Sequence, residues 1–429
     1  MNFSRRNFIS KTGKAGLSLA LTPFLQTAIG QKIDFDLSKL ALPDTEDVTD
    51  NEDYWRLIRQ QYTISPNIIN LNNGGISPQP RVVQEAVEHY NRMSNEIPSY
   101  YMWQILEQSR EPVKEKLAEL GGVEPSEVAI NRNATEALVT VIHGLRLNKG
   151  DEVVLTKFDY PTMMNAWKQR AHRDGIVLKW LSFDFPIEDT DVMVEKFVSA
   201  FTPNTKVVHL THVINWCGQI LPVAEIAAEA RKRGIEVLVD GAHSFAQMDF
   251  KISGLNCDYF GTSLHKWLCA PFGSGMLYVK KDKISKLYPL TAHEDPESDD
   301  MIKFQNLGTR SFAIEAGIGH AVDFHNLIGA ERKEKRLQYL KKYWTEQVSS
   351  LPAIRIRTSL KKEYGSALTF LEITEKDSVE ISKDFFGNYQ IHTVAIKHEN
   401  LNGLRITPNV YTLKSELDKL VKVIKSTVA

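Results

Sequence analysis

Short apolar runs alternate with amphipathic stretches through the middle of the chain. Between the runs, apolar positions recur at helical spacing, for instance over Thr135–Gly144 and over Val223–Arg233, where Gly234 would end the helix. The runs are rich in Val, Ile, Leu and aromatic side chains, which is typical of buried strands. They cover residues 127–131, 152–157, 177–181, 206–211, 236–240, 258–263 and 275–279. This alternation predicts an α/β fold with a mainly parallel, seven-stranded sheet.

The pattern changes after about Ala321. A charged helical run over Gly329–Ser349 is followed by short strand-like runs near Ile354–Arg357 and Leu368–Ile373, and by a closing helix after Leu413. These elements predict a second, smaller α+β domain at the C-terminal end. Within the charged run, residues 331–342 are interpreted as a solvated helix face.

The first thirty residues differ from the rest of the chain. Arg5 and Arg6 form a twin-arginine pattern, the mostly apolar run Ala15–Ile29 follows, and Gly30 is a small residue before a cleavage point. This pattern predicts a Tat signal peptide and a periplasmic or otherwise exported mature protein. The alternative is an amphipathic first helix with incidental arginines. Because no other stretch approaches ~18 uninterrupted apolar residues, no membrane span is expected in the mature chain.

Composition and charge exclude several classes of protein. The chain has 429 residues, of which 42% are hydrophobic and 24% charged, as in ordinary globular proteins and unlike disordered, collagenous or coiled-coil chains. Its 52 basic and 53 acidic residues leave no basic surplus, so no nucleic-acid partner is expected. The three cysteines show no metal-binding spacing and cannot all pair, so we expect buried, unreactive thiols, no disulfide framework and no metal.

These patterns together divide the chain into four parts. The predicted parts are the signal (1–30), an N-terminal segment (31–75), a large domain (76–325) and a small C-terminal domain (326–429).

Three polar features stand where strands of the large domain end. Asp240 closes an apolar strand, and Lys266 closely follows another, where its charge is costly unless paired, exposed or covalently neutralised. Asn133–Glu136 close an earlier strand and open a helix, whose backbone N–H groups could hold a phosphate. Singly, each feature is weak, since such a lysine is usually at the surface and such an aspartate often caps a turn. In this combination they are the parts needed to bind pyridoxal 5'-phosphate (PLP).

Several short motifs extend this set in a recognisable order. They are Asn73-Gly74-Gly75, Asn133-Ala134-Thr135, Tyr160-Pro161, His212-Val213-Ile214-Asn215, Asp240-Gly241-Ala242-His243, Ser263-Leu264-His265-Lys266-Trp267, Gly308-Thr309-Arg310 and Leu404-Arg405-Ile406-Thr407. Over about residues 70–425 the chain resembles the class V aminotransferase family of fold-type I PLP enzymes, and within it the isopenicillin N epimerase-like branch.

The resemblance implies roles for the residues around the cofactor ring. Lys266 would bind the cofactor covalently and move the substrate α-proton, and Asp240 would pair with the protonated pyridine nitrogen. His243 and Asn215 match positions near the ring hydroxyl, and Tyr160 matches a ring-stacking position. Lys266, Asp240 and His243 are therefore the expected catalytic residues.

The resemblance also implies a phosphate site that two subunits share. Four residues match its positions within one subunit: Ala134, Thr135, Ser263 and His265. Thr309, beside Gly308, matches a segment that reaches the phosphate of the neighbouring subunit, which implies a homodimer with shared active sites.

Two arginines are candidates for binding the substrate. Arg405 matches the arginine that grips a substrate carboxylate, with a surface salt bridge as the alternative. Arg310 is a candidate for binding a second anionic group of the substrate. The alternative is that it has no role in substrate binding. Trp167 and Trp267 are interpreted as packing residues.

The family resemblance leaves the reaction open. We expect a PLP-dependent enzyme acting at the α-carbon of an amino acid or an amino-acid-containing peptide, as an epimerase or an aminotransferase. Because Gln390–Gly403 contains no cysteine, desulfurase chemistry is disfavoured. A β-elimination lyase is the alternative, and a non-catalytic binding protein is a further one.

Overall fold

The computed structural model describes Leu40 and residues 47–429, so the predicted signal peptide lies outside the described residues. In chain order the strands are β1 (Ile69–Asn70), β2 (Val128–Asn131), β3 (Glu152–Thr156), β4 (Val177–Leu181), β5 (Thr205–Thr211), β6 (Glu236–Asp240), β7 (Tyr259–Ser263), β8 (Gly275–Val279), β9 (Ile354–Ile356), β10 (Thr369–Ile373), β11 (Ile391–His392), β12 (Val394–His398) and β13 (Leu401–Ile406). The helices are α1 (Glu52–Gln60), α2 (Arg81–Glu96), α3 (Arg110–Gly121), α4 (Ala134–Gly144), α5 (Pro161–Asp174), α6 (Thr190–Val198), α7 (Val223–Arg231), α8 (Phe312–Ile328), α9 (Ala330–Thr345), α10 (Ser378–Tyr389) and α11 (Lys414–Val428). Shorter helical turns, including a π-helical segment at Tyr101–Leu106, complete the chain.

The central sheet has seven strands in the order β2-β8-β7-β6-β5-β3-β4. Its strands are parallel except β8, which runs antiparallel to both β2 and β7. Most of its strands are buried along their whole length, which explains why they read as continuous apolar runs in the sequence. The predicted α/β fold with a mainly parallel sheet is therefore confirmed.

The helices between these strands form close to their predicted positions. α4 begins one residue before the predicted Thr135, with Asn133 capping it by accepting a hydrogen bond from Glu136 N. α7 ends at Arg231, earlier than predicted, and Gly234 adopts a φ of +68° in the turn that follows.

A second sheet lies in the C-terminal part of the chain. Its four antiparallel strands have the order β12-β13-β10-β9, and the short strands β1 and β11 pair in parallel beside it. Helices α9, α10 and α11 contribute to the core of this part through residues such as Leu340, Phe385 and Leu420. The predicted small α+β unit is present as this sheet and its helices.

The charged stretch on α9 differs from its prediction as a solvated face. Four of its cations are buried, namely Arg332, Lys333, Arg336 and Lys341. Each reaches a hydrogen-bond acceptor in the interior; Lys341, for example, donates to the carbonyls of Ser359 and Gly365 at 3.2 and 2.7 Å. The solvated-face interpretation is wrong for these residues, because backbone carbonyls of other elements, and for Arg336 also the Glu52 carboxylate, accept from their terminal nitrogens.

Among residues 47–429, no helix combines the length and apolar character needed to cross a membrane.

Candidate active site

A cavity of about 320 Å³ opens at the carboxyl ends of the central strands. Strands β5, β6 and β7 bring side chains to it from one edge of the sheet. Ligands are expected at this edge, where the carboxyl end of each parallel strand is followed by the loop to the next helix. Most of the residues predicted for the site line it: Ala134, Thr135, Tyr160, Asn215, Asp240, His243, Ser263, His265, Lys266 and Arg405. Residues far apart in the sequence therefore meet around one volume.

Lys266 places its amine in the middle of this cavity. Its Nζ lies 3.1 Å from His243 Nε2 and 5.9 Å from the centre of the Tyr160 ring. Burial lowers the pKa of Lys266 to about 8, although Asp240 acts in the opposite direction. A substantial fraction of the amine is therefore neutral near pH 8, and a neutral amine is the nucleophilic form.

Asp240 occupies the last position of β6. One carboxylate oxygen accepts a hydrogen bond from Ala242 N at 2.9 Å, and the other has no hydrogen-bond partner among residues 47–429. Burial raises the pKa of this carboxyl above its ordinary value. A cation placed against the free oxygen would be strongly stabilised, because burial has removed the water that would otherwise solvate the carboxylate charge.

The other end of the cavity suits an anion. At the N-terminus of α4, Ala134 N donates to Ser263 Oγ at 2.9 Å and Glu136 N donates to Asn133 Oδ1. The backbone N–H of Thr135 has no partner in the described chain, and Thr135 lines this end of the cavity. His265 is held by a 3.1 Å contact between its Nδ1 and the carbonyl of Ser274. This end can therefore hold a phosphate through backbone N–H groups, hydroxyls and an imidazole.

Arg405 reaches the cavity from β13. Its two terminal nitrogens donate to the carbonyl of Asn215 at 2.9 Å and to Asn72 Oδ1 at 3.1 Å, and its buried Nε has no partner in the described chain. Burial lowers its pKa to about 10, so it stays charged at neutral pH. It makes no salt bridge within residues 47–429 and is 7% exposed, which contradicts the surface salt-bridge alternative.

Thr309 and Arg310 do not line the cavity of the single chain. Arg310 Nε donates to Glu315 Oε1 at 2.5 Å, and its guanidinium lies 4.6 Å from the centre of the Phe312 ring. The structure therefore gives Arg310 a partner within its own chain, and the contact of Thr309 with a neighbouring subunit stays a prediction.

Some residues of the cavity were not assigned individual roles from the sequence, although Asn133 and Ala242 lie in motifs named above. The residues without such roles are Gly74, Gly75, Asn133, Leu138, Met163, Thr211 and Ala242. The glycine pair was visible as a motif, and a Cβ on Gly74 would lie 3.1 Å from Cγ2 of Thr407, so a larger residue there would crowd Thr407. Leu138 and Met163 are buried apolar residues on helices, and nothing in their spacing separates them from ordinary core positions.

All three cysteines are buried and free. Burial raises the pKa of the Cys217 thiol to about 12, and it also raises that of Cys257. The segment Gln390–Gly403 forms β11, β12 and part of β13 and carries no thiol. Among the described residues, no exposed thiol is present to act as a nucleophile.

The donor set fits PLP on observations within this cavity. The free oxygen of Asp240 suits the protonated pyridine nitrogen, the α4 N-terminus suits the phosphate, and the Lys266 amine suits the aldehyde. When bound, PLP supplies an electron sink for charge that develops at a substrate α-carbon. The fold and the site define a PLP-dependent enzyme of fold type I.

Comparison with known families assigns the chain to one family within this class. Residues 69–392 match the family described as aminotransferase class-V, and the chain belongs to this family.

The similar proteins include both epimerases and cysteine desulfurases. Isopenicillin N epimerase of Streptomyces clavuligerus is 27% identical over 392 residues, which cover 85% of this chain and 96% of that protein. A probable cysteine desulfurase of Halalkalibacterium halodurans is 29% identical over 321 residues, covering 70% of this chain and 77% of that protein.

Solved structures share the fold. A cysteine desulfurase of Thermococcus onnurineus superposes with a TM-score of 0.76 at 21% identity, covering 86% of this chain and 97% of its own. A C-DES mutant with glycine covalently linked to PLP gives 0.75 at 24% identity, covering 85% and 98%.

Proposed function

We propose that the protein acts at the α-carbon of an amino acid or an amino-acid-containing peptide, as an epimerase or an aminotransferase. The observation that carries this proposal is that the Lys266 amine and the Arg405 guanidinium line one cavity. A substrate carboxylate held by Arg405 would leave the α-carbon facing Lys266. In an α-amino acid the α-carbon is bonded directly to the carboxylate carbon, so one small molecule can contact both residues.

Each residue of the site has a distinct task in this proposal. Lys266 holds and moves the α-proton at its Nζ, and Asp240 keeps a positive charge on the pyridine nitrogen. Tyr160, which is 44% exposed, covers the ring at the mouth of the cavity. Arg405 orients the substrate through its planar guanidinium.

The distribution of cysteines separates this proposal from desulfurase chemistry. A desulfurase that carries sulfur on its own cysteine needs an accessible thiol, whereas the three cysteines here are buried. The likeness to isopenicillin N epimerases over 85% of the chain also supports the epimerase-like branch. β-Elimination, which needs no enzyme thiol, is kept as an outcome of the test.

The deciding experiment is a single turnover in deuterated water with a panel of amino acids and short peptides. Deuterium at the α-carbon with inversion supports epimerisation, and formation of pyridoxamine phosphate with a keto acid supports transamination. Release of pyruvate or sulfide would overturn the proposal in favour of β-elimination. A protein that shows no visible absorbance band with added PLP, and whose Lys266→Ala variant behaves identically, would be a non-catalytic relative.

We also propose that the active form is a homodimer. The support is the resemblance of Gly308-Thr309 to a segment that reaches a neighbouring phosphate site, together with its position outside the cavity of its own chain. Sedimentation should give twice the mass of the chain, and Thr309→Ala should weaken PLP binding. A monomer with full PLP affinity would contradict this.

Export is a separate proposal that rests on the sequence of residues 1–30. We propose that Arg5 and Arg6 direct the chain to the Tat route. Replacing both with lysine should leave the protein in the cytoplasmic fraction, whereas Lys11→Arg should not. Equal export of both variants would show that the arginines are incidental.

A further inference from the structure

Three side chains form a short chain of polar contacts that leads from the cavity lining into the core. The indole Nε1–H of Trp267 donates to His243 Nδ1 at 3.4 Å, and the opposite ring nitrogen, His243 Nε2, lies 3.1 Å from Lys266 Nζ. Trp267 is fully buried and His243 nearly so. The contact between the two rings is therefore shielded from solvent, whereas the contact between His243 and Lys266 faces the cavity.

The first contact decides where His243 carries its proton. An indole N–H can only donate, so His243 Nδ1 must offer a lone pair. Burial, followed by the charges of Lys266 and Arg405, holds the pKa of His243 well below its ordinary value, so the ring is neutral. A neutral imidazole that is unprotonated at Nδ1 carries its proton at Nε2.

We propose that Trp267 is a positioning residue that holds His243 in its Nε2–H tautomer, so that His243 donates a hydrogen bond to the Lys266 amine. The inference rests on the proposed role of Lys266. Its chemical consequence is that Lys266 is the only proton acceptor of this pair. His243 then serves as a donor rather than as a base.

Other contacts keep Trp267 in place. Its backbone carbonyl accepts from Nζ of the buried Lys333, which extends from α9. The indole belongs to the main core cluster. The backbone of Trp267 is therefore anchored by a buried cation, and its ring is held in the core.

The chain contains a matched control for this arrangement. Trp167 Nε1–H donates to Nδ1 of the buried His209 at 3.3 Å, and neither residue lines the cavity. Removing this indole N–H deprives a buried histidine of the same contact, but the contacts among Trp267, His243 and Lys266 are kept. His209 lies near Asp240 and stays neutral, because burial lowers its pKa to about 4. Trp167→Phe therefore separates the specific effect from a general loss of an indole.

The test compares Trp267→Phe and Trp167→Phe with the unmodified full-length protein. Nitrogen-15 spectra of histidine-labelled protein, with and without PLP, report which ring nitrogen of His243 is protonated, and His243→Gln identifies its signals. The rate of covalent PLP attachment as a function of pH reports the titration of Lys266. In Trp267→Phe we expect the proton of His243 to move to Nδ1. His243 Nε2 can then accept a hydrogen bond from the ammonium form of Lys266. The midpoint of the pH–rate curve for PLP attachment should therefore rise by about one pH unit.

Specific results would overturn the proposal. One is a His243 protonated at Nδ1 in the unmodified protein, a result that needs no variant. Others are an unchanged spectrum in Trp267→Phe, or an equal midpoint shift in Trp167→Phe. In a His243→Gln background Trp267→Phe should cause no further shift, and a full shift there would assign the effect to repacking. Because neither readout uses a substrate, failure of the proposed reaction at the α-carbon would be seen separately.

Discussion

Lys266 differs from a surface lysine in the pH range over which it reacts. Burial lowers its pKa to about 8, so the neutral fraction rises about tenfold per pH unit below that value and levels off above it. In cofactor-free protein, the rate of covalent PLP attachment should follow this curve, measured by visible absorbance after mixing. A rate that keeps rising to about pH 10, as for a hydrated lysine, would contradict the low pKa. Lys266→Ala should give no attachment at any pH.

Arg405 should matter for the substrate more than for the cofactor. Arg405→Lys keeps one charge but loses the planar fork, and it also removes the donors to Asn215 and Asn72. We expect KM for amino acids to rise by about tenfold or more, the equivalent of one charge-assisted hydrogen bond, with the PLP absorbance band preserved. The matching amine without a carboxylate serves as the control substrate, and its kinetics should change little. An equal effect on both substrates would indicate that the substitution disturbs the pocket as a whole.

At the scale of elements, the start of α4 depends on a close approach by β8. A Cβ on Gly275 would lie 2.5 Å from Cα of Asn133, the residue that caps α4. Gly275→Ala should therefore displace the anion-binding turn, weaken PLP affinity and destabilise the protein by about 1–3 kcal/mol. Fluorescence titration with PLP and urea unfolding measure the two effects.

Gly254 provides the control for this substitution. A Cβ there meets nothing within 4 Å, and its φ is not in the left-handed region. Gly254→Ala should bind PLP as the unmodified protein does. If both variants lost affinity equally, crowding at Asn133 would not be the cause.

Strands that are buried on both faces are predicted well from the sequence. β6 and β8 have the predicted bounds, because such a strand reads as a continuous apolar run. β4 also has the predicted bounds, although it is a partly exposed edge strand. β1 and β11 have two residues each, too few for any periodicity, and they exist because the chain segments that carry them lie side by side. Local pattern cannot reveal such pairing.

The same reasoning applies to the site. Asp240 and Lys266 stand at strand ends, where a charged residue after an apolar run is visible in the sequence. Met163 and Trp267 look like ordinary core residues, and only the fold shows that one lines the cavity and the other donates to His243. The buried Lys333 was missed for a related reason, since its acceptor is a backbone carbonyl 66 residues away.

At the scale of the whole molecule, the N-terminal helix α1 ties distant parts of the chain together. Arg59 forms two hydrogen bonds to Glu416 on α11, at 2.7 and 2.9 Å. Trp55 of α1 is fully buried in the main core cluster, and the guanidinium of Arg336 lies 5.2 Å from the centre of its ring. Helix α1 is therefore part of the folded unit, and its contacts should contribute to global stability.

Arg336 is the residue through which this segment can be tested. It is fully buried on α9 and donates to Glu52 Oε1 at 2.6 Å and to the carbonyls of Thr49 and Thr412, each at 3.2 Å. Arg336→Met keeps most of the aliphatic volume but leaves a largely buried carboxylate and two carbonyls without their donor. We expect the free energy of unfolding in urea to fall by about 3 kcal/mol, the usual cost of breaking a buried ion pair by removing one partner.

Arg56→Met is the matched control, because Arg56 pairs with Asp53 on the same helix with both side chains exposed to solvent. An exposed pair contributes about 0–1 kcal/mol, so this variant should unfold close to the unmodified protein. Circular dichroism and the PLP absorbance band should be followed together in Arg336→Met. If α1 stabilises the whole molecule, both signals will be lost at one lowered urea concentration. If the PLP band keeps its original midpoint while the helical signal falls early, α1 stabilises only its own surroundings and the cofactor site folds without it.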